Sequence, residues 1–240
     1  MLSKIFKTSL PVAGLVVLMA LAACGGSASP PHSPSATSLV SDMRSSFVIA
    51  QSVRIIGHIR SNRQTGTLDL SLFRSGDMKG TIKSNGLSIA VLRVGGRSYL
   101  YLSKATFRFY RRSHHIPATA CAVACGKYIL VPGRFFGAFS LNSLSRVIDS
   151  SAPKATKRTH KTGKKGKTGK GAPVPRVDST SFEGQPAWEL TEGKFKIFIA
   201  KQSGYLLGMS KSKLGAVRFS EWNAVPAIKA PRPNQVFVFG

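Results

Sequence analysis

Cys121 and Cys125 sit four positions apart in a 240-residue chain, separated by Ala-Val-Ala. On an extended strand such positions lie about 13 Å apart, so a disulfide between them needs a turn or a helix. A redox dithiol has two intervening residues rather than three, which makes a structural bridge the better reading. His114-His115 follows Arg111-Arg112. Adjacent histidines diverge on an extended chain and no neighbouring Cys or carboxylate completes a ligand set, so this stretch reads as a solvated loop with no metal. Gly166-Lys167-Thr168 ends like a phosphate-binding loop, but the motif's first glycine would fall where Lys161 stands, and no strand precedes it. Gly-x-Ser-x-Gly and His-Glu-x-x-His are both absent. Nine acidic residues in all disfavour a carboxylate-rich metal site or an acid–base carboxylate pair. The reading is a non-enzyme without a cofactor.

The third cysteine, Cys24, closes an N-terminal segment with a different logic. Lys4 and Lys7 form a basic head, Leu10 to Leu21 an apolar run too short to span a bilayer comfortably, and Ala22-Ala23 a small-residue stretch. Leu21-Ala22-Ala23-Cys24 resembles a bacterial lipobox, in which the cysteine is lipidated and becomes the first mature residue. Two acyl chains on Cys24 suffice for stable anchoring where one is marginal. Residues 1–23 then form a signal peptide, and the Gly-, Ser- and Pro-rich residues 24–37 a flexible tether. The expected location is the outer face of a cell membrane.

Residues 150–177 carry Lys154, Lys157, Arg158, Lys161, Lys164, Lys165, Lys167, Lys170 and Arg176 among Gly, Thr and Pro, with no aromatic residue. Such a run repels itself and stays disordered. The first eight of these cations are candidates for binding anionic envelope polymers or lipid headgroups, at about 1 kcal/mol per charge near an anionic surface. Export and the lack of interleaved aromatics argue against nucleic acid. The segment reads equally as a solvated insertion with no ligand. The formal charge of +26 comes from 35 basic and 9 acidic residues. Setting aside nine cations here and two in the signal leaves 24 basic residues, so the folding part keeps about +15.

About 175 residues remain to fold, enough for one domain with a core. Leu39, Val40, Met43, Phe47 and Val48 recur at helical spacing after Ser38 or Ser41 as N-cap. From Ser52 the period becomes two, with Val53, Ile55 and Ile59 on one side and Arg54, Ile56 and His58 on the other. Turns at Arg74-Ser75-Gly76-Asp77, Ser84-Asn85-Gly86 and Val94-Gly95-Gly96-Arg97 divide residues 52–103 into a five-stranded antiparallel meander. A short strand precedes Pro132, and Leu141, Leu144, Val147 and Ile148 predict a second helix capped by Ser140 or Asn142. Alternation returns in four strands around Trp188, Ile197, Leu207 and Val217. The segments are 38–149, helix and first meander, and 178–240, the second meander of the same domain.

Several stretches carry a family resemblance. Gly95-Gly96-Arg97-Ser98-Tyr99 resembles a Gly-Gly-x-x-Tyr strand, and Gly126-Lys127-Tyr128-Ile129-Leu130-Val131-Pro132 a Gly-Lys-Trp-Val-x-Val-Pro strand with Tyr in place of Trp. Phe219-Ser220-Glu221-Trp222-Asn223 through Ala230-Pro231 looks like a final strand with an Ala-Pro exit. Together with the lipobox, this order resembles the LppX/LprG-type lipoproteins of actinobacteria and, more distantly, the LolA-like carriers. The resemblance implies an α+β fold: a curved antiparallel β-sheet, or half-barrel, with short helices covering its concave face over an apolar cavity. It implies that Leu39, Met43, Phe47, Leu141, Leu144 and Ile148 line that cavity, and that a lipid or glycolipid occupies it. Apolar residues on both faces of a strand, as at Ile55-Ile56 and Leu206-Leu207, fit a sheet needing cover or cargo on its second face. Two functions follow. One is a membrane-anchored carrier of a hydrophobic envelope molecule; the other is a structural or adhesion lipoprotein with a filled core whose basic loop contacts anionic polymers.

Overall fold

A computed structural model describes residues 33–238 apart from 62–63, 137–138 and 152–174, so Cys24 and the cations from Lys154 to Lys170 lie outside the described residues. The first helix starts two residues before Ser38. Ser35 has extended backbone and its Oγ accepts from the Ser38 N–H at 3.0 Å, so α1 runs Ala36–Ile49. Arg74 closes the other end, donating to the Phe47 carbonyl and, at 3.0 Å, to the Ala50 carbonyl. A cation at a helix C-terminus satisfies carbonyls that have no partner within the helix. The same guanidinium reaches Asn142 Oδ1 at 2.8 Å, the second residue of α4 (Leu141–Ser151), whose cap is Ser140 accepting from the Ser143 N–H at 3.0 Å.

The first meander comprises β1 (Ser52–Ser61), β2 (Gln64–Phe73), β3 (Met78–Ser84), β4 (Leu87–Val94) and β5 (Arg97–Tyr101). Asn85-Gly86 and Gly95-Gly96 take positive φ at both central residues, the geometry a two-residue hairpin turn requires. β6 (Tyr128–Val131) adds to β5. The second meander is β7 (Arg176–Phe182), β8 (Gln185–Glu192), β9 (Phe195–Ala200), β10 (Leu206–Lys211) and β11 (Gly215–Ser220), followed by β12 (Val236–Phe237). Sheet order is β12-β6-β5-β4-β3-β2-β1-β11-β10-β9-β8-β7, antiparallel except that β12 runs parallel to β6. The first strand of one meander pairs with the last strand of the other, Ile55 opposite Phe219, so both halves form one open sheet. Glycine allows close approach of its strands. A Cβ on Gly80 would lie 2.0 Å from the Asp69 carbonyl oxygen, and one on Gly57 2.5 Å from that of Ala216, so neighbouring strands approach too closely there for a side chain.

The stretch expected as a solvated loop around Arg111 and His114 is helical. Ser103 Oγ accepts from the Thr106 N–H at 3.0 Å and opens α2 (Lys104–His114), which ends where His115 turns left-handed with φ 53°. Thr106 and Phe107 are buried while Lys104, Arg108 and Arg112 face solvent, a helical alternation that the density of cations obscured. Cys121 and Cys125 bracket α3 (Cys121–Ala124), one helical turn that brings their Cα atoms to 4.8 Å with the sulphurs bonded. The small loop it closes leads to a definite expectation: replacing both cysteines by serine lowers the free energy of unfolding by about 2 kcal/mol, read from the denaturant midpoint.

The core lies on the helix side of the sheet. Leu39, Val40, Met43 and Phe47 of α1 and Leu141 of α4 are buried against Val53, Ile55, Leu70, Leu72 and Phe219. Phe47 meets Trp222 edge-on at 4.9 Å, and Trp222 stacks on Tyr205 at 4.8 Å while its Nε1–H donates to the Leu206 carbonyl at 2.9 Å. A bulge at Leu206 and Gly208 puts Leu206 into this core and Leu207 into a small cluster with Ala187 and Ala200, covered by the rings of Phe182 and Phe198. The Leu206-Leu207 pair thus has cover on both faces, while Ile56 is half-buried and borders an open groove on the far face.

On the other face, the Arg54 guanidinium forks between strands. It donates to both Asp69 carboxylate oxygens and to Glu221 Oε1, each at 2.9 Å. The hydrogen bonds from Arg54 hold the Asp69 carboxyl below its ordinary value of 3.8, outweighing partial desolvation. A carboxylate depressed on folding stabilises the fold above its unfolded pKa, and that contribution disappears as pH falls through the lower folded value. All three side chains are more than a third exposed, so solvent screens the contribution to about 1 kcal/mol. Arg54→Met is expected to lose about that much at neutral pH and none at the acid end, measured by urea unfolding at pH values above and below the carboxylate range.

Candidate functional site

The cross-strand register lines up Ile89, Ile82, Leu68, Gly57, Val217, Met209, Ile197, Leu190 and Val177 in one row across nine strands, β4 to β7. Alternation places this row on the helix side, the same side as Ile55. The next row toward α1, with Val91, Leu70, Ile55, Phe219 and Ile199, is buried. In the belt itself Ile89, Ile82, Leu68, Val217, Met209 and Val177 keep part of their surface open, and Gly57 contributes no side chain at its centre. One row further out, Ile59 stands between Gly66 and Gly215, its register partners on β2 and β11. Three inward-facing glycines therefore remove side chains around one isoleucine.

Two clefts result. One of about 690 Å³ is bordered by Ile59, Phe195, Met209, Leu214 and Val217. The other, about 220 Å³, lies between Ile59, Leu68, Ile82 and Phe139. The larger falls within the roughly 300–1,000 Å³ of small-molecule sites, and both are mainly apolar. Both open at the end of the sheet that carries the β1–β2, β3–β4, β8–β9 and β10–β11 turns, away from the strand end where α1 feeds into β1. Arg60, Lys194, Lys211 and Lys213 line a third cleft at this end. A larger groove, of about 820 Å³, opens on the opposite face between Ile56, Phe182 and Phe198 and the polar side chains of Asp69, Thr81 and Arg218, the last paired with Glu183 at 2.9 Å. Among the described residues no three His, Cys, Asp or Glu converge as a metal site.

The sequence-derived lining residues divide differently. Leu39, Met43, Phe47 and Leu141 are at most 3% exposed and belong to solid packing, and none of them borders these clefts. Leu144 packs half-buried on the same core, and the Ile148 side chain lies outside the described residues. The helices fill the lower part of the concave face, so the space lies over the belt, whose residues helical spacing cannot reveal. The signal available was glycine at inward positions of otherwise apolar strands, at Gly57, Gly66 and Gly215.

No protein-family model matches the chain, and no curated protein matches it in sequence. Among solved structures, LprF from Mycobacterium bovis aligns over 83% of this chain and 99% of its own, at 13% identity and a TM-score of 0.50. The lipoprotein LppX of Mycobacterium tuberculosis aligns over 81% of this chain and 100% of its own, at 10% identity and a lower TM-score of 0.45. The chain has the open antiparallel half-barrel fold of LprF, the architecture that its order of motifs leads one to expect of an LppX/LprG-type lipoprotein.

Proposed function

We propose that the protein is an exported lipoprotein that holds the apolar part of a lipid or glycolipid over the belt of its half-barrel and carries it between membrane and cell wall. In this reading residues 1–23 are removed, Cys24 is acylated, and residues 24 to about 34 tether the domain to the outer face of the membrane. The observation that carries it is the belt: six apolar side chains in one cross-strand row, left half-open on the helix side and interrupted by glycine. A soluble domain covers or fills such a surface unless something else occupies it. The fold is the one the protein has in common with LprF, which it matches over 99% of that chain's length.

The residues from Ser33 onward form a compact unit containing every strand and helix described, so a chain beginning at Ser33 retains the fold without the acylation site. Titrating that chain with a fluorescent fatty acid is the test. The expected result is saturable uptake that unlabelled acyl lipid reverses; no uptake after delipidation contradicts the reading.

A further inference from the structure

Leu214, in the turn between β10 and β11, is 46% exposed, and so is Ile59 beside it on β1. The Arg60 N–H donates to the Leu214 carbonyl at 2.8 Å, which fixes the two strands at this tip. At the same tip stand the exposed cations Arg60, Lys194, Lys211 and Lys213, which together border one cleft of about 500 Å³. Among the described residues no carboxylate pairs with any of the four; five of the nine acids are engaged elsewhere, Asp69 and Glu221 by Arg54, Asp178 by Arg176, Glu183 by Arg218 and Glu189 by Lys196. Glu192 borders the adjoining apolar cleft and leaves the group strongly positive. The basic and apolar clefts share Lys194 and Lys211 on their rims.

We infer that this tip is a membrane-docking face, which seats on an anionic bilayer with Leu214 and Ile59 entering the interface and the four cations over lipid headgroups. Cations alone would suit any polyanion. Two exposed aliphatic side chains beside these cations suit a surface that is charged outside and apolar beneath, and a soluble polymer gives them no burial. Each cation near such a surface strengthens binding about fivefold. Seated this way, the mouths of both apolar clefts face the bilayer, so an acyl chain passes between membrane and belt without crossing water. The inference stands apart from the carrier reading, since a domain with empty clefts docks equally well.

The test is co-sedimentation of the chain beginning at Ser33 with vesicles of phosphatidylglycerol and phosphatidylcholine, against phosphatidylcholine alone. The wild type is expected to bind the mixed vesicles selectively and to lose binding as salt rises. Lys194→Gln, Lys211→Gln and Lys213→Gln combined are expected to weaken partitioning about a hundredfold, and Leu214→Ser alone about tenfold, with circular dichroism unchanged. In a chain that also lacks residues 154–170, these substitutions are expected to weaken partitioning by the same factors. Wild-type partitioning by the triple variant, with loss appearing only on deleting 154–170, overturns the inference in favour of the basic insertion. Unchanged vesicle binding by the triple variant, together with loss of bound monomeric phosphatidylglycerol, overturns it in favour of a held headgroup. Normal docking by a protein that takes up no fatty acid supports it while removing the carrier reading.

Discussion

Ile82→Glu and Met209→Glu are each expected to weaken acyl binding by about a hundredfold or more, while Thr81→Glu leaves it unchanged. Ile82 borders the smaller cleft and Met209 the larger, and each is half-buried in the belt. Without ligand, a carboxylate at either position reaches water at the mouth, so the cost to folding is limited to strand propensity, about 1 kcal/mol at most. With an acyl chain against it, the same carboxylate loses its water and gains no partner. That cost amounts to several kcal/mol, which is the source of the predicted loss. Thr81 is the neighbour of Ile82 on β3, opposite Asp69 and Ala90, and alternation places it on the other face. Ile82 and Thr81 therefore separate a ligand over the belt from one in the groove on the opposite face, which Thr81 borders and Ile82 does not. Equal losses from both variants, with folding intact, would point to the groove.

Phe47→Ala is expected to lower the free energy of unfolding by about 4 kcal/mol. The ring is 1% exposed and meets Phe219 and Trp222 edge-on, at 6.3 and 4.9 Å. Truncation leaves a void among side chains held in place by α1, the Trp222–Tyr205 stack and the Arg74 clasp on the helix end, so little collapse is available. The magnitude decides between two pictures of the concave face. If Phe47 lined a ligand space, its removal would enlarge that space at small cost in stability and raise acyl uptake. A large loss of stability in delipidated protein, with uptake per folded molecule unchanged, places the ligand over the belt alone. Equilibrium urea unfolding followed by Trp222 and Trp188 fluorescence gives the first quantity, and titration at low temperature the second.

Period-two alternation and hairpin chemistry made most of this sheet legible. Asn85-Gly86 and Gly95-Gly96 mark turns that sterics confine to a few residue types, and Val53, Ile55 and Ile59 point inward as their spacing indicates. β7 was hidden because Val177, Ser179 and Ser181 offer one apolar side chain among hydroxyls directly after the lysine-rich segment, and because its edge position demands little burial. β12 is two residues long and exists through tertiary pairing with β6. The cation count masked α2, although Ser103 is a recognisable N-cap residue. At the site, helical periodicity identified the residues that fill the concave face. The residues that leave it open are glycines and half-buried aliphatics on strands far apart in sequence, brought into one row by the pairing of β1 with β11. That long-range register has no local signature.

The central claim, that the belt is lipid-bearing, is tested most directly by purifying the chain from Ser33 out of a lipid-producing host without detergent and extracting it for mass spectrometry. The account predicts co-purifying acyl lipid at near-stoichiometric yield, displaced by added fatty acid and absent from the Met209→Glu variant. Repeated extraction of lipid-free, folded protein that also takes up no acyl probe would contradict it.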